Sequence, residues 1–109
     1  MQKTTAAQDR IFHALADPSR RAIFESLTRG EAAVKDLTAR FDISQPAVSQ
    51  HLAALKHAAL VTDRREGRCV YYRVAPRAIK PLVDWIARYR VFWTEHVYRL
   101  EKLLERMDQ

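Results

Sequence analysis

The sequence predicts a single, mostly α-helical domain with a helix-turn-helix, a two-stranded β-hairpin and a long C-terminal helix. The chain has 109 residues, 48% of them hydrophobic, which is enough for one modest core over residues 1–109. It has two glycines and four prolines, fewer than the many tight turns of a sandwich or barrel require. Apolar residues also recur at spacings of three and four along most of the chain, as they do in helices.

Two helices are predicted before the helix-turn-helix. Over about residues 5–16 apolar side chains recur at helical spacing, namely Ala7, Ile11, Ala14 and Leu15. Asp17 is expected to end this helix and begin the next, because its carboxylate can accept a hydrogen bond from a free N–H group at a helix start. Pro18 fits the following position, where its missing N–H does no harm.

A helix-turn-helix is predicted over about residues 33–58, as two short helices joined by a tight turn. The second helix begins near Gln45, and its buried stripe is expected to be Val48, Leu52, Leu55 and Ala59. Its opposite face has neither acids nor large apolar groups and consists of Pro46, Ser49, Gln50, Ala53 and His57. Such a face suits the major groove of DNA, because a bulky group would hold the helix out and a carboxylate would be repelled by phosphate.

A β-hairpin is predicted next, over about residues 61–74. Two β-prone runs, 61–65 and 69–74, flank the pair Glu66-Gly67, where glycine can take the positive φ of a tight turn. Three arginines cluster at the tip, where they can contact phosphates or enter a minor groove: Arg64, Arg65 and Arg68. The motif is then a winged helix-turn-helix with this hairpin as its wing. The alternative is a purely structural hairpin with solvated arginines.

The net charge of +6 is concentrated around the hairpin. Residues 56–80 carry seven basic residues against Asp63 and Glu66, a net of +5, whereas the other 84 residues carry 12 basic and 11 acidic residues, a net of +1. A local excess of this kind is typical of a surface that binds a polyanion, and a solvated basic surface is the alternative.

One long amphipathic helix is predicted over residues 81–107. Its apolar seam has spacings of three or four and comprises Leu82, Trp85, Tyr89, Phe92, His96, Leu100, Leu103 and Met107. At 1.5 Å per residue this helix would be roughly 40 Å long, more than a core of this size can cover. An identical helix of a second chain is the simplest partner, and packing within the same chain is the alternative.

Three local strings carry a resemblance to a known family: ADPSRRAIF at residues 16–24, ISQPAVSQHLAALKHAALV at 43–61 and RREGRCVYYRV at 64–74. Together and in this order they resemble the ArsR family of bacterial winged-helix repressors. The resemblance implies a homodimer joined through its first and last helices. The matching positions for that interface are Ile11, Leu15, Trp85, Tyr89, Phe92, Trp93, Leu100 and Leu103.

The resemblance also implies roles in binding double-stranded DNA. The recognition-helix positions are Gln45, Pro46, Ser49, Gln50 and His51. Gln50 can bond an adenine through two hydrogen bonds, whereas His51 is closer to the buried stripe and suits packing or phosphate contact at least as well. Contacts to the DNA backbone are expected from Lys56, Arg64, Arg65 and Arg68.

No metal site or cofactor is expected. Many relatives sense metals through a cysteine pair or through Asp and His ligands on the last helix, but Ala33 and Lys35 occupy the cysteine positions here. Asp84 and His96 remain on the last helix without the residues that would complete a four-ligand site. Cys69 is the only cysteine and is expected to be a packed residue, with a thiol sensor as the alternative.

The sequence therefore predicts a homodimeric repressor that binds a near-palindromic operator. Neither a signal peptide nor a transmembrane segment is apparent, so a cytoplasmic, nucleoid-associated location is expected. No phosphate-binding loop or nucleophile with an assignable base is present, so an enzyme is not expected. The alternatives are a sensor-repressor that responds to an unidentified small molecule or a thiol signal, and a protein-interaction module that has lost DNA binding.

Overall fold

The structure is a computed structural model that describes residues 4–108, so the ends of the predicted domain, residues 1–3 and 109, lie outside it. Within that range the helices are α1 (Ala6–Leu15), α2 (Pro18–Leu27), α3 (Val34–Phe41), α4 (Gln45–His57), α5 (Lys80–Ala87) and α6 (Arg90–Met107). The strands are β1 (Ala32–Ala33), β2 (Val61–Glu66) and β3 (Cys69–Val74). The predicted mostly α-helical winged helix-turn-helix is confirmed.

The first two helices begin where the sequence predicts. Thr5 caps α1, with its hydroxyl accepting from the Gln8 N–H at 3.1 Å and the Gln8 side chain accepting from the Thr5 N–H. Asp17 caps α2 by accepting from the Arg20 N–H at 3.0 Å, and Pro18 is the first helical residue. Gln8 is buried and also donates to the Pro81 carbonyl at 3.1 Å, which ties α1 to α5.

The helix-turn-helix is formed by α3, the turn at residues 42–44 and α4. Asp42 adopts a left-handed conformation with φ 51°, which aspartate tolerates better than most residues. Ser44 then caps α4 by accepting from the Ala47 N–H at 3.2 Å. Val48, Leu52 and Leu55 are completely buried, so three of the four residues predicted for the buried stripe lie in the core.

Ala59, the fourth predicted member of that stripe, is exposed. It has φ 61° and lies at the left-handed position that ends α4. The Ala59 N–H donates to the Lys56 carbonyl at 2.9 Å and the Leu60 N–H donates to the Leu55 carbonyl at 3.0 Å. These two bonds define a Schellman motif, in which the left-handed residue is usually glycine.

The two-stranded wing is confirmed as the β2-β3 hairpin, and it belongs to a three-stranded antiparallel sheet of order β1-β3-β2, whose strand β1 was not predicted. Ala32 and Ala33 pair with Tyr72 and Tyr71. A two-residue strand carries no periodicity in sequence and forms only through backbone pairing with β3, so the pattern could not predict it. The pairing of Glu66 with Cys69 leaves Gly67 and Arg68 as the turn, with Gly67 at φ 62°.

The sequence predicts one continuous C-terminal helix over residues 81–107, but the structure has two helices, α5 and α6, so the prediction of a single helix was wrong. The Arg88 and Tyr89 N–H groups donate to the carbonyls three residues earlier, which tightens the end of α5 before α6 begins at Arg90. Side-chain spacing reports which residues share a face, and it stays regular across this break. The periodicity therefore could not locate it.

The core joins α1, α2, α3, α4 and the base of the wing, and its largest fully enclosed side chains are Ile23, Leu37, Val48, Leu52, Leu55 and Leu60. No residue of α5 or α6 is buried. The radius of gyration is 17.9 Å, against about 13 Å for a compact chain of this length, and the extents are 58 × 36 × 20 Å. None of the helices among residues 4–108 is long and apolar enough to cross a membrane.

The left-handed Ala59 predicts a stabilising substitution. Ala59→Gly should raise the free energy of unfolding by about 1 kcal/mol, because glycine removes the Cβ clash of this conformation and the exposed Ala59 methyl adds no buried packing. Urea denaturation followed by circular dichroism measures the change. Ala53→Gly, at an exposed position inside α4, is the control and should lower stability by about 1 kcal/mol. A loss of stability in Ala59→Gly would contradict the left-handed cap.

Candidate nucleic-acid interface

The outer face of α4 is the centre of the candidate interface. Burial of Val48, Leu52 and Leu55 on one side turns the other side of the helix to solvent. Four of the five residues predicted for the recognition helix are exposed on its first two turns: Gln45, Pro46, Ser49 and Gln50. Since no acid lies on this helix, its hydrogen-bonding groups can approach a polyanion without repulsion.

His51, the fifth predicted residue, is only half-exposed and lies against the start of α2. The pKa of Asp17 is lowered chiefly by the hydrogen bond from the Arg20 N–H, and the nearby His51 lowers it further. The His51 Nδ1 is shielded from solvent and has no hydrogen-bond partner among residues 4–108. This position favours packing between α4 and α2 over contact with a base.

Two arginines of the wing are available to bind phosphate. Arg65 and Arg68 are exposed, and neither forms an ion pair within the described range. Arg68 occupies the second turn position directly after Gly67, so it lies at the tip of the hairpin. These uncompensated cations are the strongest candidates for contacts to the DNA backbone.

Arg64 is held by the chain itself, unlike Arg65 and Arg68. Its Nε and one terminal nitrogen donate to the two carboxylate oxygens of Glu31 at 2.9 and 2.7 Å, and its other terminal nitrogen donates to Glu66 at 2.8 Å. The guanidinium carbon also lies 4.8 Å from the centre of the Tyr71 ring. These carboxylates raise the pKa of Arg64, and Arg64 lowers the pKa of Glu31.

This arrangement differs from the phosphate contact expected for Arg64. The paired N–H donors of a guanidinium can bind a carboxylate or a phosphate through two hydrogen bonds. In Arg64 these donors already bind the Glu31 carboxylate. Arg64 therefore joins the wing to the segment between α2 and β1. Lys56, also expected at the DNA backbone, forms an ion pair with Asp63 at 3.0 Å.

Sequence reasoning missed Lys35 as a candidate for DNA binding. A groove of about 240 Å³ separates the start of α4 from the wing, and Lys35, Gln45, Arg68 and Cys69 line it. In the sequence, Lys35 stands out only because it occupies a position where relatives have a metal-binding cysteine. The topology brings it beside Arg68, although 33 positions separate the two in sequence, and no local pattern reports that proximity.

A second surface is apolar and runs along α5 and α6. Phe12 packs edge-on against Trp85 with ring centroids 5.2 Å apart, and Trp85 is 5.2 Å from Tyr89. The large apolar side chains of α6 are all at least 44% exposed: Val91, Phe92, Trp93, Val97, Tyr98, Leu100, Leu103, Leu104 and Met107. An apolar face this extensive is unusual on a monomer in water and marks an interaction surface.

Both residues of α1 that were predicted for this surface, Ile11 and Leu15, pack on the core of their own chain. Ile11 is 2% exposed and belongs to the core of its own chain, so it offers little surface for the dimer contact predicted for it. Leu15 is partly buried against the same core. The missed residue is Phe12, which is 38% exposed and contacts Trp85.

The candidate metal ligands on the last helices have other partners. Asp84 pairs with Lys80 at 3.0 Å, and the His96 ring stacks on Phe92 with centroids 4.0 Å apart. The His96 Nδ1 is 2.8 Å from the Phe92 carbonyl oxygen. Across residues 4–108 no three residues of the types His, Cys, Asp and Glu come together as a possible metal site. The absence of a metal response remains a prediction.

Comparison with known proteins identifies the family. Residues 17–63 match the family described as bacterial regulatory protein, arsR family. The HTH-type transcriptional regulator Rv2034 of Mycobacterium tuberculosis is 40% identical over 102 residues, which span 94% of this chain and 92% of that protein. The chain belongs to the ArsR family.

Further relatives agree with this assignment to the ArsR family. The transcriptional repressor SdpR of Bacillus subtilis is 33% identical over 79 residues, which span 72% of this chain and 88% of that protein. The structure of an ArsR-like transcriptional regulator from Rhodococcus sp. RHA1 superposes with a TM-score of 0.72 at 26% identity, covering 90% and 92% of the two chains. The predicted family and the predicted role in transcription regulation are confirmed.

The ion pairs of Arg64 with Glu31 and Glu66 predict that Arg64 contributes less to DNA affinity than Arg65 and Arg68 in this ArsR family protein. Arg65→Ala and Arg68→Ala should each flatten the plot of log affinity against log salt by about 0.9 for each phosphate that the variant no longer neutralises. Arg64→Ala should leave that slope unchanged, because the slope counts neutralised phosphates and Arg64 neutralises Glu31 and Glu66. Fluorescence anisotropy with a labelled random duplex over a salt series measures all three.

The opposite result would mean that Arg64 does not keep its ion pairs with Glu31 and Glu66 in the DNA complex. If Arg64→Ala flattened the slope as much as Arg65→Ala, the guanidinium would have to leave Glu31 when DNA binds. Arg106→Ala, in the last turn of α6, provides the control for removal of one exposed positive charge away from the wing.

Proposed function

We propose that this ArsR family protein is a homodimeric repressor that reads a near-palindromic operator with α4 and holds the DNA backbone with its wing. One observation carries the proposal: the exposed, acid-free face of α4 begins at Gln45, which lines the same groove as the uncompensated Arg68 of the wing. Base edges specify a sequence and phosphate contacts position the protein, and this surface offers groups for both.

Gln50 is the residue best suited to read a base. Its amide is exposed on the second turn of α4 and presents a donor and an acceptor, which match the N7 and N6 groups of adenine in the major groove. Gln45 and Ser49 lie on the same exposed surface and can bond neighbouring bases or the backbone. Pro46 fixes the backbone of the first turn and adds no bulk that would obstruct the approach.

The exposed faces of α5 and α6 support a second copy of this chain as the partner. The two helices leave aromatic and aliphatic groups uncovered along one continuous seam, and the chain extends well beyond the dimensions of a compact monomer. A twofold interface presents the same patch from both subunits, so one self-complementary seam is sufficient. Two copies of α4 would then enter major grooves one helical turn apart, about 34 Å, which requires an operator of two half-sites.

The alternatives fit less well. A protein-interaction module that had lost DNA binding would be expected to carry acids on α4, and α4 has none. The relatives are named as transcriptional regulators, so we propose a regulator and not an enzyme. Because bacterial operators lie in the nucleoid, the proposed function implies a cytoplasmic location.

Removal of the Gln50 amide should reduce specificity. Gln50→Ala should weaken operator binding by about 1–3 kcal/mol and change binding to random DNA much less, because only the operator pairs the amide with a base. The operator is first selected from a random duplex library, and affinities are then measured at one salt concentration. Ala53→Ser, on the same exposed face one turn later, is the matched control.

Two results would contradict this assignment. If Gln50→Ala weakened both DNAs equally, Gln50 would contact the backbone. If Arg65→Ala or Arg68→Ala abolished discrimination while Gln50→Ala did not, the wing would carry the specificity.

A charge on the apolar seam should dissociate the dimer. Leu100→Glu should shift the sedimenting species from dimer to monomer, because it would bury a carboxylate against the apolar seam of the partner. Tyr98→Glu is the control: Tyr98 is as exposed as Leu100, yet at 100° per residue it lies about 160° around α6 from it. A wild-type chain that sediments as a monomer at micromolar concentration would refute the proposed assembly.

A further inference from the structure

A cleft between three helices lies apart from the apolar seam and borders the outer face of α4 at His57. It has a volume of about 610 Å³, within the range of roughly 300–1,000 Å³ for small-ligand pockets. The outer turns of α1, the first turn of α2 and the last turns of α4 form its walls. The polar lining residues are Asp9, Arg10, His13, Arg20 and His57.

The charge of this lining favours an anion. Two arginines and two imidazoles face a single carboxylate, that of Asp9. The Asp9 carboxylate already accepts a hydrogen bond from the Thr4 hydroxyl, so part of its capacity is used at the start of α1. The cleft is therefore electropositive without a matching set of acids, which is the arrangement that attracts a small anionic molecule.

The floor of the cleft is apolar and shallow. It is made by Ala14, Ala54 and Ala58, whose methyl groups leave space where larger residues would fill it. Ala14 and Ala58 are buried. Apolar surface with a few convergent polar groups is the usual composition of a site for a small organic ligand, and inorganic phosphate alone would leave this floor uncovered.

Arg20 supplies an unsatisfied group at the edge of the cleft. Its Nε is shielded from solvent and donates to no acceptor among residues 4–108. A buried donor without a partner is costly, and an arginine paired with a carboxylate is among the strongest hydrogen-bonded arrangements in proteins. The guanidinium of Arg20 is therefore the group that would gain most from a bound carboxylate.

The cleft also connects the two surfaces described above. Ala54 and His57 belong to α4, and Ala54 lies one turn after Gln50. The remaining wall belongs to α1, which also holds α5 through the Gln8 to Pro81 hydrogen bond and the Phe12 to Trp85 contact. A molecule wedged between α1 and α4 can thus change the placement of α4 relative to the seam.

We propose that this cleft binds a small organic carboxylate, with Arg10 and Arg20 on the carboxylate and the alanine floor against its apolar body, and that its occupancy alters operator binding. The consequence for operator binding rests on the function proposed above, whereas the binding site itself does not. Binding is measured on the free protein, so failure of the site and failure of the DNA-binding function give separate results.

The test is a titration of the 109-residue protein with benzoate and with succinate, followed by nuclear magnetic resonance of the histidine rings. Benzoate should shift the ring signals of His13 and His57 saturably and leave those of His96 unchanged. Benzamide, the neutral analogue of the same shape, should not bind. Arg20→Gln and Arg10→Gln should each weaken binding about tenfold or more, because each removes a charge-assisted hydrogen bond.

Arg29→Gln, just beyond the far end of α2 and outside the cleft, is the matched control and should bind as the wild type does. The proposal is overturned if neither benzoate nor succinate shifts His13 and His57 saturably, or if benzamide binds as well as benzoate. It is also overturned if both cleft variants, shown to be folded by circular dichroism, bind benzoate undiminished. If instead Arg10→Gln and Arg20→Gln flatten the salt dependence of DNA affinity and no carboxylate binds, the cleft is an extension of the DNA-binding surface.

Discussion

The burial of one side of α4 is the constraint on which the rest of this structure depends. Val48, Leu52 and Leu55 are completely enclosed, and each such side chain contributes about 1.5–3 kcal/mol when it leaves water. This packing fixes the rotation of α4 about its axis and so decides that Gln50 faces outward. It also sets the floor on which the wing rests, because Leu60 and Val61 continue the same buried run into β2.

Ion pairing with acids distinguishes Arg64 from Arg65 and Arg68 in the wing. Arg64 is bound by two carboxylates and a ring, whereas Arg65 and Arg68 have no acidic partner in the described part of the chain. Net charge counts all three arginines equally, but only uncompensated ones can release counterions from a phosphate without first breaking an ion pair. The third strand has a related role, since pairing of β1 with β3 joins the wing to the helical core.

The apolar face of α5 and α6 is left uncovered by the rest of the chain. Nearly all of the core lies in the first 78 residues, and α6 projects away from it with its aromatic and aliphatic groups uncovered. Such a helix gains little from packing on its own chain, which supports the proposed second copy as its partner. Since α1 contacts α5 on one side and borders the cleft next to α4 on the other, events at the seam, the cleft and the DNA-binding helix share one structural element.

The sequence by itself determined the helix starts at Asp17 and Gln45, the buried stripe of α4 and the position of the hairpin, because capping, periodicity and turn chemistry act between residues close in the chain. Only the tertiary structure decided that Ile11 belongs to the core and Phe12 to the surface. It also decided that Lys35 lies beside Arg68 and that Arg64 forms an ion pair with Glu31. It also revealed β1 and the break before Arg90. Each of these depends on backbone pairing, local hydrogen bonding or contacts between residues distant in sequence, and a linear pattern carries no record of those.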